Sequence, residues 1–189
     1  DIMRGCQYFS YDLRTKEESA IAANVPTDEL GDISPYMYNP DPEFPIGITA
    51  WLQNDEGVLV YGQQDIWLLD LAGKKSAVNI TNGYGRSHNI VFSLFNGERL
   101  NFGKIPIIKK KDTLLLQSFN SVNKYSGFYR KTVSKAGDPE LLYSGPYYYN
   151  MIKGCHDPNM SNNGQIPIKA KDATIWVVQR QSGTDAPNY

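Results

Sequence analysis

The chain has 189 residues, 41% of them hydrophobic and 21% charged, with a formal net charge of −1. That balance excludes intrinsic disorder and supplies no basic face to track a phosphate backbone, so no nucleic-acid partner is expected. No apolar run approaches the ~20 residues of a membrane-spanning helix. The 13 Tyr, 7 Phe, 16 Gly and 11 Pro favour short strands joined by turns over helices.

The first strand-like run is Gln7 to Leu13 (QYFSYDL), which ends in the polar stretch Arg14 to Ser19. Asn24 to Pro45 carries five prolines and predicts a long surface connection. Four runs then follow closely: Ile48 to Gln53, Val58 to Tyr61, Ile66 to Leu71 and Ala77 to Thr81. Turn sequences separate them at Asn54 to Gly57, Gly62 to Asp65 and Ala72 to Lys75, which predicts one up-and-down antiparallel sheet. Tyr84 to Lys104 is open between a helical and an extended insertion. A second set of four runs is expected at Ile107 to Lys110, Thr113 to Phe119, Gly127 to Val133 and Glu140 to Tyr143. A partial third set begins with Ile166 to Lys169 and Thr174 to Arg180. At the other end, Tyr11-Asp12-Leu13 parallels Leu69-Asp70-Leu71, as if the third strand of an earlier set.

Units of four strands in about 40–60 residues are the mark of propeller blades, whose faces are buried only between neighbours. The expected fold class is therefore all-β: a partial β-propeller of four-stranded antiparallel blades. Partial blades are expected at 1–23 and 164–189, and complete ones at 46–82 and 105–145. Two complete blades are fewer than the roughly four to eight that close a ring. With partial blades at either end and too few to close a ring, the chain is expected to be truncated at both ends of a longer one.

Residues able to carry chemistry are few. A serine nucleophile of the α/β-hydrolase type needs Gly-x-Ser-x-Gly. The nearest sequence, Gly85-Arg86-Ser87-His88-Asn89, lacks the second glycine, and sequence adjacency does not make Ser87 and His88 a working pair. His88 is expected to be a satisfied loop residue, whereas His156, in an exposed Gly/Pro/Asn-rich loop, is equally able to approach a ligand. Cys155, His156 and Asp157 are consecutive and cannot easily converge on one tetrahedral ion, so no metal and no cofactor are expected. Cys6 and Cys155 can form one disulfide or remain two buried thiols, with the thiols favoured. Asp41/Glu43 and Asp55/Glu56 resemble loop solubilisers more than a glycosidase pair. Lys109 to Lys111 reads as a solvated strand end. Tyr147, Tyr148 and Tyr149 stand out, because tyrosine joins an apolar body to a polar tip. They suit inter-blade packing or substrate binding, and are the candidate substrate-binding residues.

The phrases AWLQNDEGVLVY, DIWLLDLAGK and NITNGYGR, within Phe44 to Phe92, resemble the propeller of the prolyl oligopeptidase family. The likeness is strongest to its secreted dipeptidyl- and acylaminoacyl-peptidase-like members from gut-type bacteria. The resemblance implies a non-catalytic propeller that gates and orients peptide substrates for a separate C-terminal α/β-hydrolase domain. It also implies a periplasmic or extracellular location. The paired-Glu role known in some dipeptidyl peptidases is not carried over to Glu17-Glu18, which are expected in a turn between strands. The alternatives are a TolB-like protein-binding propeller and, more remotely, a glycan-processing one. Open sheet edges predict self-association.

Overall fold

The computed structural model describes residues 7–31, 46–95, 105–149, 168–170, 172–178 and 180–184. These form a mostly antiparallel β structure, as expected for an all-β chain.

The chain begins with a hairpin of β1 (Phe9–Tyr11) and β2 (Glu18–Ala20). Asp12 turns it: its carboxylate accepts the backbone N–H groups of Arg14 at 2.7 Å and Thr15 at 3.1 Å. Glu18 therefore stands in a strand opposite Tyr11 and not in the expected turn. The start of the proline-rich stretch also departs from expectation. Instead of running over the surface, it forms the one-turn helix α1 (Thr27–Leu30), and Val25, Glu29 and Leu30 are buried.

Strands β3 (Ile48–Leu52), β4 (Val58–Tyr61), β5 (Ile66–Leu69) and β6 (Val78–Asn79) stand where the sequence places them and pair antiparallel in order. The β3–β4 turn holds Asn54 and Asp55 in the left-handed region, at φ 61° and 54°, where short polar side chains are tolerated. Gly57 follows because a methyl group there would come within 2.7 Å of the Leu69 carbonyl oxygen on the neighbouring strand.

A helix and a strand both occupy the stretch from Tyr84 that had been open between them: α2 (Tyr84–His88) leads straight into β7 (Ile90–Leu94). Then come β8 (Ile107–Ile108), β9 (Thr113–Asn120), β10 (Ser126–Thr132) and β11 (Glu140–Gly145). The second sheet runs β11-β10-β9-β7, so its first strand is Ile90–Leu94 and not the expected Ile107 to Lys110. Ile107–Ile108 instead adds to the first sheet, parallel to β3, with Trp51 N–H donating to the Pro106 carbonyl at 2.8 Å. The first sheet therefore has five strands and one parallel edge, a departure from the expected four-stranded antiparallel unit. The physical reason lies in β7, whose buried residues Ile90, Phe92 and Leu94 alternate along the strand and complete the second sheet's inner face.

The rest of the described chain gives β12 (Tyr148–Tyr149), β13 (Ile168–Lys169), β14 (Trp176–Val177) and β15 (Arg180–Gln181). β12 pairs with β15 and β13 with β14, so two of the three candidate tyrosines, Tyr148 and Tyr149, stand in a strand.

Two cores result. Ala50, Leu52, Leu59 and Ile66 of the first sheet meet Phe92, Leu116 and Tyr129 of the second. On the first sheet's other face, Val58, Val60 and Leu69 pack with Ile21, Val25 and Leu30 of the N-terminal segment. Leu59 thus faces one core while its neighbours Val58 and Val60 face the other, the period-two alternation of a strand. Burial on both faces explains why VLVY and IWLL are unbroken apolar runs. The second sheet's far face meets β12 and β14 through Phe95, Phe128, Tyr149 and Trp176, at ring-centroid distances of 4.7–5.3 Å.

Candidate functional site

The densest polar constellation is centred on Asp65, in the turn between β4 and β5. Its carboxylate is fully buried and accepts three hydrogen bonds: Thr81 Oγ1 at 2.6 Å, Gly85 N–H at 3.0 Å and Arg86 N–H at 3.1 Å. Thr81 Oγ1 in turn accepts the Ile66 N–H at 3.1 Å. The donors from Gly85 and Arg86 belong to the first turn of α2, where backbone N–H groups lack intrahelical partners. Asp65 is thus a cap supplied from another element, and it fixes where α2 leaves the first sheet and β7 enters the second.

Arg86 carries the constellation to α1. Its guanidinium lies 2.8 Å from Glu29 Oε1 and 3.1 Å from Asp28 Oδ2. Glu29 is nearly fully buried, with 3% of its side chain exposed, and burial pushes its carboxyl above the ordinary range although Arg86 opposes that shift. The Gln63 N–H donates to the Glu29 carbonyl at 2.8 Å, and its side-chain amide donates to the Gly31 carbonyl. With two carboxylates on one guanidinium, this place is a clasp between segments and offers no unpaired cation to an anionic ligand.

Lys131 makes a smaller link on the second sheet. It is buried, its ammonium donates to the Gly137 carbonyl, and desolvation lowers its pKa while Asp138 opposes the shift. Asp138 also accepts from Asn82 Nδ2 at 2.7 Å, tying the β10–β11 turn to the segment after β6.

The three candidate tyrosines are divided by the structure. Tyr149 is buried and meets Phe128 edge-on at 4.7 Å, and burial raises its hydroxyl pKa. Tyr148 is half-buried and pairs with Gln181 across the strands. Tyr147 is half-buried beneath the Arg180 guanidinium, 4.3 Å from its ring centroid, with the Tyr143 ring 6.4 Å away. Tyr147 and Arg180 together therefore present a partly open aromatic and cationic face, whereas Tyr149 serves packing.

Ser87 and His88 do meet in space, which sequence adjacency alone did not promise. Ser87 Oγ is 2.9 Å from His88 Nδ1, and both lie against the Tyr84 carbonyl, at 3.2 and 3.0 Å. The His88 ring stacks on Tyr84 at 3.8 Å. An imidazole whose Nδ1–H donates to that carbonyl cannot also take a proton there, so the contact fits closure of a helix end better than a nucleophile and its base. Glu17, Glu18, Asp55 and Glu56 are all exposed, and Glu56 pairs with Lys110 at 2.7 Å. Cys6, Asp41, Glu43, Cys155 and His156 lie outside the described residues.

Among the described residues no helix is long and apolar enough to cross a membrane. No family model, curated protein or solved structure matches the chain.

The sequence marked neither Asp65 nor Glu29 as important. The one available signal was Asp65 placed directly before the apolar run of β5, with Thr81 and Gly85 downstream.

Proposed function

We propose that this chain is a non-catalytic β-propeller segment of a secreted prolyl-oligopeptidase-family serine peptidase. It gates peptide substrates and orients them for a separate α/β-hydrolase domain, in the periplasm or outside the cell. The observation that carries this reading is the packing of consecutive sheets. The first sheet is buried on one face by the second and on the other by the preceding hairpin segment, so each unit depends on its neighbours in the chain. The family phrases AWLQNDEGVLVY and DIWLLDLAGK fall on β3 to β5, the strands at the centre of that stack. Of the candidate tyrosines, Tyr147 with Arg180 retains the exposure a peptide contact needs.

The test is made on the parent polypeptide. The expected result is a Gly-x-Ser-x-Gly sequence downstream and peptidase activity abolished by a serine-directed phosphonate. A parent with no such sequence, and no phosphonate labelling, would overturn the peptidase reading in favour of a TolB-like protein-binding propeller.

A further inference from the structure

Asn82 and Gly83 form a tight turn between β6 and α2. Both are left-handed, at φ 59° and 71°, and the Tyr84 N–H donates across them to the Thr81 carbonyl at 3.0 Å. That is the pattern of a type I′ turn, which favours Asn-Gly. The turn accounts for the residue types but not for where the Asn82 side chain goes. Its amide Nδ2 donates to Asp138 Oδ1, in the β10–β11 turn, at 2.7 Å. A carboxylate only accepts, so the nitrogen side of the amide is the one that faces it.

Asn-Gly is also the pair in which the side-chain amide is most open to attack by its own backbone. The Gly83 nitrogen can add to Asn82 Cγ, forming a C–N bond as the Cγ–Nδ2 bond breaks and ammonia leaves. Water then opens the cyclic imide to aspartate or isoaspartate. Glycine permits the attack because it carries no side chain to shield its nitrogen. At Gly83 nothing lies within 4 Å of where a Cβ would stand, and Asn82 is exposed. What opposes the step is Asp138. Its carboxylate polarises the amide N–H, which pushes electron density from nitrogen into the carbonyl. Cγ becomes a poorer electrophile, and the group that must leave is held in place. We propose that Asn82 is a deamidation site guarded by Asp138, whose conversion unties the second sheet's β10–β11 turn from the first sheet. The product is a carboxylate where an amide had donated to a carboxylate, so an attraction becomes a repulsion. The change runs one way, because the ammonia is lost.

Incubation of the whole chain at mildly alkaline pH, followed by peptide mapping with mass detection, tests the guard. Asn96-Gly97 and Asn163-Gly164 serve as references within the same molecule. Asp138→Ala should speed the one-dalton gain at Asn82 by about three- to tenfold, the factor one such hydrogen bond is worth, and leave both references unchanged. Asp138→Asn, which keeps an acceptor without the charge, should fall between. An equal or slower rate at Asn82 in Asp138→Ala would overturn the proposal, as would an increase shared by all three sites. The consequence is read in urea unfolding. Asn82→Asp should unfold at lower urea than Asn82→Ser, and the gap should close in the Asp138→Ala background. No gap, or one that persists without Asp138, would overturn the untying.

Discussion

Strands β4 and β11 differ in almost everything except that each lies in a sheet of at least four strands. In β4, Val58, Leu59 and Val60 are buried to within 2% exposure, because the strand has a core on each face. In β11, Leu141, Leu142 and Tyr143 are 52%, 47% and 39% exposed, on the edge strand of the second sheet among the described residues. The difference teaches that position in the stack, more than hydrophobicity, decides what a strand contributes. LLY is also a largely apolar run, yet among the described residues only VLV has a core on both faces.

Several measurements would break or sharpen that contrast. The largest effect is expected at the seam between the sheets. Phe92 is fully buried and meets Tyr129 edge-on at 5.1 Å. Phe92→Ala should cost about 3–5 kcal/mol in urea unfolding, a large share of a typical domain's stability. A loss no greater than that of a surface substitution would show that the sheets do not depend on each other. Next comes Asp65→Ala, which strands the Gly85 and Arg86 N–H groups, while the Thr81 hydroxyl keeps Asn79 Oδ1 at 2.9 Å. About 3 kcal/mol is expected, with partial recovery in Asp65→Asn.

Glu29 gives a prediction of sign. Burial holds its carboxyl above the ordinary value, with Arg86 opposing. The folded chain therefore takes up this proton at a higher pH than the unfolded chain. The resulting stability is fully present below the ordinary Glu value and is lost as pH rises through the raised one. Wild type should accordingly lose ground to Glu29→Gln as pH climbs through and above the ordinary carboxylate range. A gap that stayed constant, or moved the other way, would show that the Arg86 pair outweighs burial.

The smallest effects belong to the edges. Leu141→Lys with Leu142→Lys should change unfolding by no more than about 0.5 kcal/mol each. If copies pair through this edge, the double variant should also remove concentration dependence from sedimentation. Tyr147→Ala, which removes the ring beneath Arg180, should cost about 0.5–1 kcal/mol.

What the sequence revealed follows the same contrast. β3, β4, β5 and β6 were legible because continuous apolar runs end in turns with strong local chemistry, such as Asn54 to Gly57. Asp12 and Asp70 each hold a turn after a strand, with different spacing: the Asp70 carboxylate accepts the Lys74 and Lys75 N–H groups at 2.9 and 3.2 Å, and the Asp12 carboxylate those of Arg14 and Thr15. Non-local choices were not legible. Nothing in Ile107-Ile108 says that its partner is β3, more than fifty residues earlier, and the short polar run of β2 has no pattern to notice. α1 is only one turn long and lies among prolines, so its burial depends on a sheet that follows it. The clasp stayed hidden for a similar reason. Glu29, Asp65 and Arg86 are unremarkable charges until the fold brings them together, and the tyrosines could be ranked only once Phe128 and Arg180 were in place.

Strand β8 has a mechanical consequence. It leaves the second sheet's connection, lies parallel along β3 in the first sheet, and returns to β9. The connection that leads into β9 is thus anchored to the first sheet by backbone pairing, in addition to the core the two sheets share. The two units should then yield under force as one event, with a single rupture where two independent sheets would give two.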